Sequence, residues 1–308
     1  MIKLLLKNPK YNFHIYKNFF EDYKLNKDKY PIELNFDYII FKRKYKYYFN
    51  RRYYPWNKLL FSNFSQNIDF VPYTINYQID KSLIKNKDLW FIKPYNSSCG
   101  KGIIVTNKLY KYYNKYKLKD NMVFQKSVNN LLLYNLKKQD IRIYLLFHKN
   151  NNKMNIYLYR DGLNRFSYLD YTNNELSYQC QLTNTSVYQG NIEDSCLLFS
   201  SNPNYILLYN QIKSNIIKLI QTFLISKKLS NNTFHLFGLD FVPDKNYQTW
   251  LIEINDNPMG ILKSQNNIIT NMKRKMIVDL FNITIFNKIN ESNLFEKIIL
   301  KTNNIKKV

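Results

Sequence analysis

The sequence predicts an α+β fold built on antiparallel sheets, and three observations carry that reading. Short runs of β-branched and aromatic residues, separated by turn-forming residues, follow one another from Leu89 onward. One long stretch of helical spacing runs from Asn204 to Leu229. Two apolar strands flank Pro243-Asp244-Lys245-Asn246, a turn sequence that closes a hairpin.

The elements follow in chain order. The first fifty residues are dense in Lys and Tyr, and only short pieces such as Tyr38-Ile39-Ile40-Phe41 read as strand. Leu89-Trp90-Phe91-Ile92 ends at Lys93-Pro94; a polar loop with glycines follows, and Ile103-Ile104-Val105-Thr106 resumes a strand. Met122 to Gln125, Ile141 to Phe147 and Asn155 to Tyr159 are further strands. In the long helix Ile206, Leu207, Ile212, Ile216, Leu219, Ile220 and Phe223 recur at helical spacing, which marks a helix packed on a core. His235 to Phe241 and Thr249 to Asn255 form the hairpin, with its turn expected between Asn246 and Tyr247.

Composition bounds the function. With 308 residues and 45% hydrophobic content the chain can bury a proper core. Lys+Arg number 46 against 22 Asp+Glu, a formal charge of +24 that attracts acidic partners. Lys, Asn, Ile and Tyr are abundant and alanine is absent, so AT-rich codon usage is a second source of that charge. Cys99, Cys180 and Cys196 form no CxxC pair, which argues against a zinc site or a disulfide framework and for a reducing compartment. No apolar run approaches the roughly 20 residues of a membrane span, so a soluble intracellular protein with no membrane partner is expected.

In a chain this poor in small residues, the six glycines mark places where a side chain is excluded. Gly100 and Gly102 lie in Ser97-Ser98-Cys99-Gly100-Lys101-Gly102, a loop whose backbone N–H groups can approach a phosphate. It is no Walker motif, because a strand rather than a helix follows. Lys93 stands at its mouth as a point charge. Lys138, Asp140 and Arg142 share one strand face, and Arg165 adds a second guanidinium suited to forked recognition of carboxylate or phosphate. In the hairpin Asp240 faces Glu253, with Asn255 two residues on and on the same side. Facing carboxylates call for a cation between them, and hard oxygen donors suit magnesium carrying ATP phosphates.

In order along the chain, these segments resemble the tubulin tyrosine ligase-like family, a branch of the ATP-grasp ligases. The matching stretches are Trp90-Phe91-Ile92-Lys93-Pro94 with Gly100-Lys101-Gly102-Ile103, Phe124-Gln125-Lys126-Ser127-Val128, and Lys138-Gln139-Asp140-Ile141-Arg142-Ile143-Tyr144. They continue through Tyr159-Arg160-Asp161-Gly162 with Arg165-Phe166, Gln181-Leu182-Thr183-Asn184-Thr185, Gly238-Leu239-Asp240-Phe241, and Trp250-Leu251-Ile252-Glu253-Ile254-Asn255 to Pro258. Ser127, Gln139 and Gln181 depart from the family pattern of Tyr, Phe and His. Gln181 and Cys99 lie near where the family varies its specificity.

The resemblance implies an ATP-grasp fold, with a small N-terminal α/β domain over residues 1–56, a central subdomain over 57–128 and a C-terminal subdomain with a terminal helix over 129–308. ATP would lie between the two sheets. Lys58 and Lys93 would contact phosphates, and the loop of Gly100, Lys101 and Gly102 would close over them. Gln125 and the backbone of Lys126 and Val128 would receive the adenine, with Lys138 and Asp140 on the ribose or phosphate side. Asp240, Glu253 and Asn255 would hold Mg2+, and Arg142, Arg165 and Asn184 would position the reacting groups. The implied activity is ATP-dependent ligation of a free amino acid to a carboxylate on the acidic tail of tubulin or another acidic protein, through an acyl phosphate. Glutamate is the first choice of amino acid, with glycine and tyrosine as alternatives. A cytoplasmic, microtubule-associated location and an accessory subunit go with that reading. A catalytically silent basic protein that binds microtubules or nucleic acid is the rival.

Overall fold

A computed structural model describes residues 58–65, 68–75, 88–95, 97, 100–116, 122–151, 153–223, 233–255, 266–284, 289 and 291–299. The expected N-terminal domain over 1–56, Cys99, Pro258 and the last residues of the expected helix, 224–229, lie outside these.

The alternating runs become two antiparallel sheets. After a short helix α1 (Lys58–Ser65), the first sheet collects β1 (Thr74–Ile75), β2 (Trp90–Pro94) and β3 (Ile104–Thr106). Helix α2 (Leu109–Tyr116) then leads to β4 (Met122–Lys126), and the strand order is β1-β4-β2-β3. The hairpin β2/β3 pairs Trp90 with Thr106 and Ile92 with Ile104. Its loop carries Gly100 and Gly102 at φ +73° and +70°, a region that side chains rarely adopt. Trp90, Ile92 and Phe124 pack with Leu109 of α2 on one face. Strand alternation turns Phe91, Lys93 and Gln125 to the other.

The second sheet begins with the long hairpin β5 (Lys137–Asn150) and β6 (Lys153–Asp170). A one-turn helix α3 (Tyr178–Gln181), strand β7 (Cys196–Leu198) and helix α4 (Tyr205–Phe223) follow. The hairpin β8 (Thr233–Pro243) and β9 (Thr249–Asn255), helix α5 (Asn267–Thr284) and strand β10 (Phe295–Lys297) complete it. The order is β10-β6-β5-β8-β9, with β7 paired to β6.

Alternation along β5 explains where the site is. Ile141, Ile143, Leu145 and Phe147 enter a core with Leu239, Phe241 and Leu251, covered by Leu208, Ile212, Ile216 and Ile220 of α4. On the opposite face Tyr144 and Leu146 pack under Ile269, Met272 and Met276 of α5. Helix α5 covers only that end of the face, and Lys138, Asp140 and Arg142 beyond it line a cavity.

Two expectations are corrected. Strand β6 runs well past Tyr159, straight through Arg160-Asp161-Gly162. It does so because Gly162 lets the strand press against β5: a Cβ there would stand 2.2 Å from the Arg142 carbonyl oxygen. The β8/β9 hairpin turns about Asn246, one half-step earlier than expected, since Asp244 N–H donates to the Gln248 carbonyl and Pro243 pairs with Thr249. Phe241 accordingly pairs with Leu251, while Asp240 still pairs with Glu253. A β-bulge at Ile252 absorbs the difference, so Ile252 and Glu253 together oppose Asp240.

Candidate functional site

A cavity of about 690 Å³ is lined from both sheets. Every residue expected to bind nucleotide, hold metal or position the reacting groups lines it except Gly102, where a Cβ would meet Pro94 Cγ at 3.0 Å. Two of its lining residues on one strand, Lys138 and Tyr144, are six residues and about 20 Å apart.

The C-terminal wall is a polar row laid across four strands. Register places Asp140 beside Arg165, Arg142 beside Asp240, Asp240 beside Glu253, and Gly238 beside Asn255. Arg142 grips Asp240 with two prongs, Nε to Oδ1 and Nη2 to Oδ2, the latter at 2.7 Å. Arg165 Nε donates to Asp140 Oδ1 at 2.6 Å, and its Nη2 lies 3.2 Å from Asp240 Oδ1. Thr183 Oγ1 donates to Asp140 Oδ2, and Asn255 Nδ2 donates to Asp240 Oδ2 at 3.3 Å. Each buried charge in the row thus has an opposite neighbour, the condition on which buried carboxylates are tolerated.

The facing wall is cationic. Lys93 Nζ donates to Gln125 Oε1 at 2.5 Å. Gln125 Nε2 in turn donates to Thr74 Oγ1 at 3.1 Å and to the Ile252 carbonyl at 3.3 Å. The bulge residue therefore ties β9 to the first sheet. Lys58 lies 3.2 Å from Glu253 Oε1 and donates to the Ser97 carbonyl, joining α1, the glycine loop and the hairpin. Lys138 sits over the Phe91 ring, 4.5 Å from its centroid. Across the loop, Asn184 Oδ1 lies within 3.3 Å of where a Gly100 Cβ would be. The Lys126 N–H is taken by the Tyr73 carbonyl at 2.9 Å, so of the backbone groups expected to meet an adenine, Lys126 can offer only its carbonyl.

Burial sets the protonation pattern. It pulls Lys93 down to about 8, against the opposing pull of Glu253. Burial, with Lys93 nearby, takes Lys138 to about 7 against the pull of Asp140. Burial pushes Asp140 up in spite of Arg165. Burial works the same way on Asp240, but Arg142 and Arg165 together outweigh it and hold that carboxyl low.

Among the described residues no group of three or more His, Cys, Asp or Glu forms a metal cluster. The set that fits a hard cation is Asp240, Glu253 and the Asn255 amide. Asp240 already accepts from Arg142 at both oxygens, and from Arg165 and Asn255 at one each. Turning the Asn255 amide over removes one of these donors and presents its oxygen on the same side. With that one rotation the donor set suits magnesium.

Sequence reasoning missed Thr183, Tyr144 and Lys273. Thr183 sits inside the Gln181-Leu182-Thr183-Asn184 segment, and its hydroxyl is what completes the Asp140 shell. Tyr144 continues the Asp140, Arg142 face, a signal that alternation does contain. Lys273 had none, being one lysine in a lysine-rich chain. Two of the departures prove to be framework residues. Gln139 Nε2 donates to the Leu132 carbonyl, and its Oε1 accepts from Asn202. Gln181 Nε2 donates to the carbonyls of Thr172 and Glu175, so although Gln181 lines the cavity its amide nitrogen is spent on that turn.

Fold and site define a mixed α/β protein in which two antiparallel sheets enclose a densely charged cavity. Residues 37–293 match the model of the tubulin-tyrosine ligase family, and the chain belongs to that family. It is 30% identical over 196 residues to tubulin glycylase 3B of Drosophila melanogaster, covering 56% of this chain and 26% of that protein. It is 27% identical over 240 residues to the probable tubulin polyglutamylase TTLL2 of Homo sapiens, covering 71% and 39%. With tubulin glycylase 3C of Tetrahymena thermophila it shares 30% over 208 residues, 60% of this chain and 19% of that protein. The chain therefore spans less than half the length of each of these relatives.

Proposed function

We propose that this chain uses ATP to ligate an amino acid, glutamate in the first reading, to a carboxylate on the acidic tail of tubulin. The observation that carries the reading is the row from Arg165 through Asp140, Arg142 and Asp240 to Glu253, set against Lys58 and Lys93 across one cavity. A site that only bound nucleic acid has no use for buried carboxylates, which repel phosphate. A phosphoryl-transfer site needs them for a cation and needs fixed guanidinium groups for the charge that develops.

In this reading Lys58 and Lys93 meet the nucleotide phosphates, Gln125 and the Lys126 carbonyl meet the base, and the Gly100 loop approaches from above. Asp240, Glu253 and Asn255 would hold magnesium, which when bound neutralises phosphate charge. Arg142 and Arg165 orient the acceptor carboxylate. An oxygen of that carboxylate attacks the γ-phosphorus and ADP leaves; the amine of the second substrate then attacks the acyl carbon, phosphate leaves, and an amide remains. The +24 charge draws the acidic tail to the cavity mouth, and a microtubule-associated cytoplasmic site of action follows.

Glycine is the second reading, favoured by the relatives named tubulin glycylase. The test is incorporation of labelled glutamate, glycine and tyrosine, each separately, into unmodified tubulin with ATP and magnesium, using Glu253→Gln as the blank. Label from one amino acid that disappears in the blank supports the reading and names the donor. No label from any, with no ATP affinity and salt-sensitive nucleic-acid binding, would replace it with the basic binding protein.

A further inference from the structure

Lys273 is a buried cation of the cavity wall that, among the described residues, meets no carboxylate. It projects from the second turn of α5 and is 8% exposed, and among the described residues it makes no hydrogen bond or ion pair. Of its titratable neighbours, Arg142 and Arg165 carry the same sign, and Cys196, which pulls the other way, is a thiol pushed up to about 11 and so uncharged. The charge of the two arginines is already met by Asp140 and Asp240, whereas that of Lys273 is not. Burying an unpaired ammonium is costly, and burial with the two guanidinium groups brings its pKa down to about 8.

A second buried group with the same electrostatic neighbours also lacks a partner. Tyr144 is fully buried, lines the cavity, and its hydroxyl has no hydrogen-bond partner among the described residues. Tyr144 packs against Ile269 and Met272 of α5, the helix that carries Lys273, and lies two residues beyond Arg142 on the same strand face. An ammonium without an anion and a hydroxyl without an acceptor thus line one cavity and share Arg142, Arg165 and Cys196 as electrostatic neighbours, with Tyr144 about 20 Å along β5 from Lys138. The charges that act most on Lys93 are Glu253, Lys58, Asp240 and Asp140, whereas those on Lys273 are Arg142, Cys196 and Arg165, so the two lysines serve different ends of the cavity.

We propose that Lys273 and Tyr144 form a carboxylate subsite at the α5 end of the cavity. It rests on the ligase reading above and deepens it, since that reaction brings two carboxylates into the cavity besides the nucleotide: that of the free amino acid and that of the acceptor side chain. Either satisfies the ammonium by charge and the hydroxyl by accepting its hydrogen.

The test is calorimetric binding to the full chain, with and without AMP-PNP and magnesium. The probes are glutamate, glycine, glycinamide, and a blocked tetraglutamyl peptide whose only carboxylates are side chains. The variants are Lys273→Gln, which removes the buried unpaired charge, and Tyr144→Phe, which removes the unpartnered hydroxyl, so both are expected to keep or raise ligand-free stability. Lys273→Gln is expected to weaken one class of carboxylate at least tenfold, and Tyr144→Phe to weaken the same class by less. AMP-PNP affinity should stay within twofold, and glycinamide should be indifferent to both changes. Loss confined to free glutamate or glycine assigns the subsite to the co-substrate; loss confined to the peptide assigns it to the acceptor. The proposal is overturned if both variants bind every carboxylate like the unchanged protein, if that protein binds none, or if AMP-PNP affinity falls in parallel. Failure of the unchanged protein to bind AMP-PNP sinks the ligase reading instead, and the nucleotide-free comparison then decides the subsite.

Discussion

Arg142 and Asp240 stand opposite each other on β5 and β8, and the guanidinium engages both carboxylate oxygens. That grip lets a carboxylate that is 3% exposed remain ionised. It also holds the guanidinium of Arg142 at the cavity wall. Lysine keeps the charge but has no fork. Arg142→Lys should therefore lose one charge-assisted hydrogen bond, lowering stability by about 1.5–3 kcal/mol. Amino-acid incorporation should drop at least tenfold. Urea unfolding checks the first and labelled-substrate turnover the second; stability equal to the parent would show that the second prong carries no weight.

Much of the site was legible in the sequence because strand alternation is a rigid rule. Once Lys138, Asp140 and Arg142 lie on one strand, they must share a face, and so must Asp240 with its partner on β9. The pairing of Asp240 with Glu253 was read from a turn placed half a step too late, and a bulge at Ile252 that no local signal announces restored it. The alternation over Asn155 to Tyr159 predicts only part of β6, because Gly162 carries no strand signal of its own and is there for close strand contact. Helix α5 buries Lys273, Arg274, Asp279 and Asn282, so its polar residues hide the apolar stripe by which such helices are recognised.

The lowered pKa values of Lys138 and Lys93 predict that nucleotide binding is proton-linked. Lys138 titrates at about 7 in the folded chain against 10.5 for an ordinary lysine. Between those values the unfolded chain binds more protons, so this group's contribution to ligand-free stability increases as pH rises through the window and is lost as pH falls toward 7. A phosphate in the cavity favours the charged form and raises both pKa values. At pH 8 the binding of AMP-PNP with magnesium should therefore take up protons. Calorimetry in Tris and in HEPES, whose ionisation heats differ, measures the uptake directly. Lys138→Gln should reduce it, and binding heats identical in the two buffers would rule the linkage out.

Gly162 sets how closely β6 approaches β5 at the point where Arg142 leaves the strand. No positive φ is involved; the constraint is space, since a Cβ would lie 2.2 Å from the Arg142 carbonyl oxygen and 3.4 Å from the Ile143 Cα. Both obstacles are backbone, so no rotamer change relieves the overlap. Gly162→Ala must push the strands apart beside the β5/β6 irregularity between Ile143 and Leu145. Overpacking of this kind costs about 1–3 kcal/mol. The displaced strand carries Arg142 away from Asp240, so activity should fall by more than the loss of folded protein explains. Gly190→Ala is the control, because its Cβ would meet only the rings of Tyr168 and Tyr188, at 3.0 and 3.1 Å. Those side chains can yield, and that variant should keep most of its stability and its turnover. Thermal unfolding and amino-acid incorporation measured on both variants decide the matter: equal effects would mean that the close contact at Gly162 does not hold Arg142 in place.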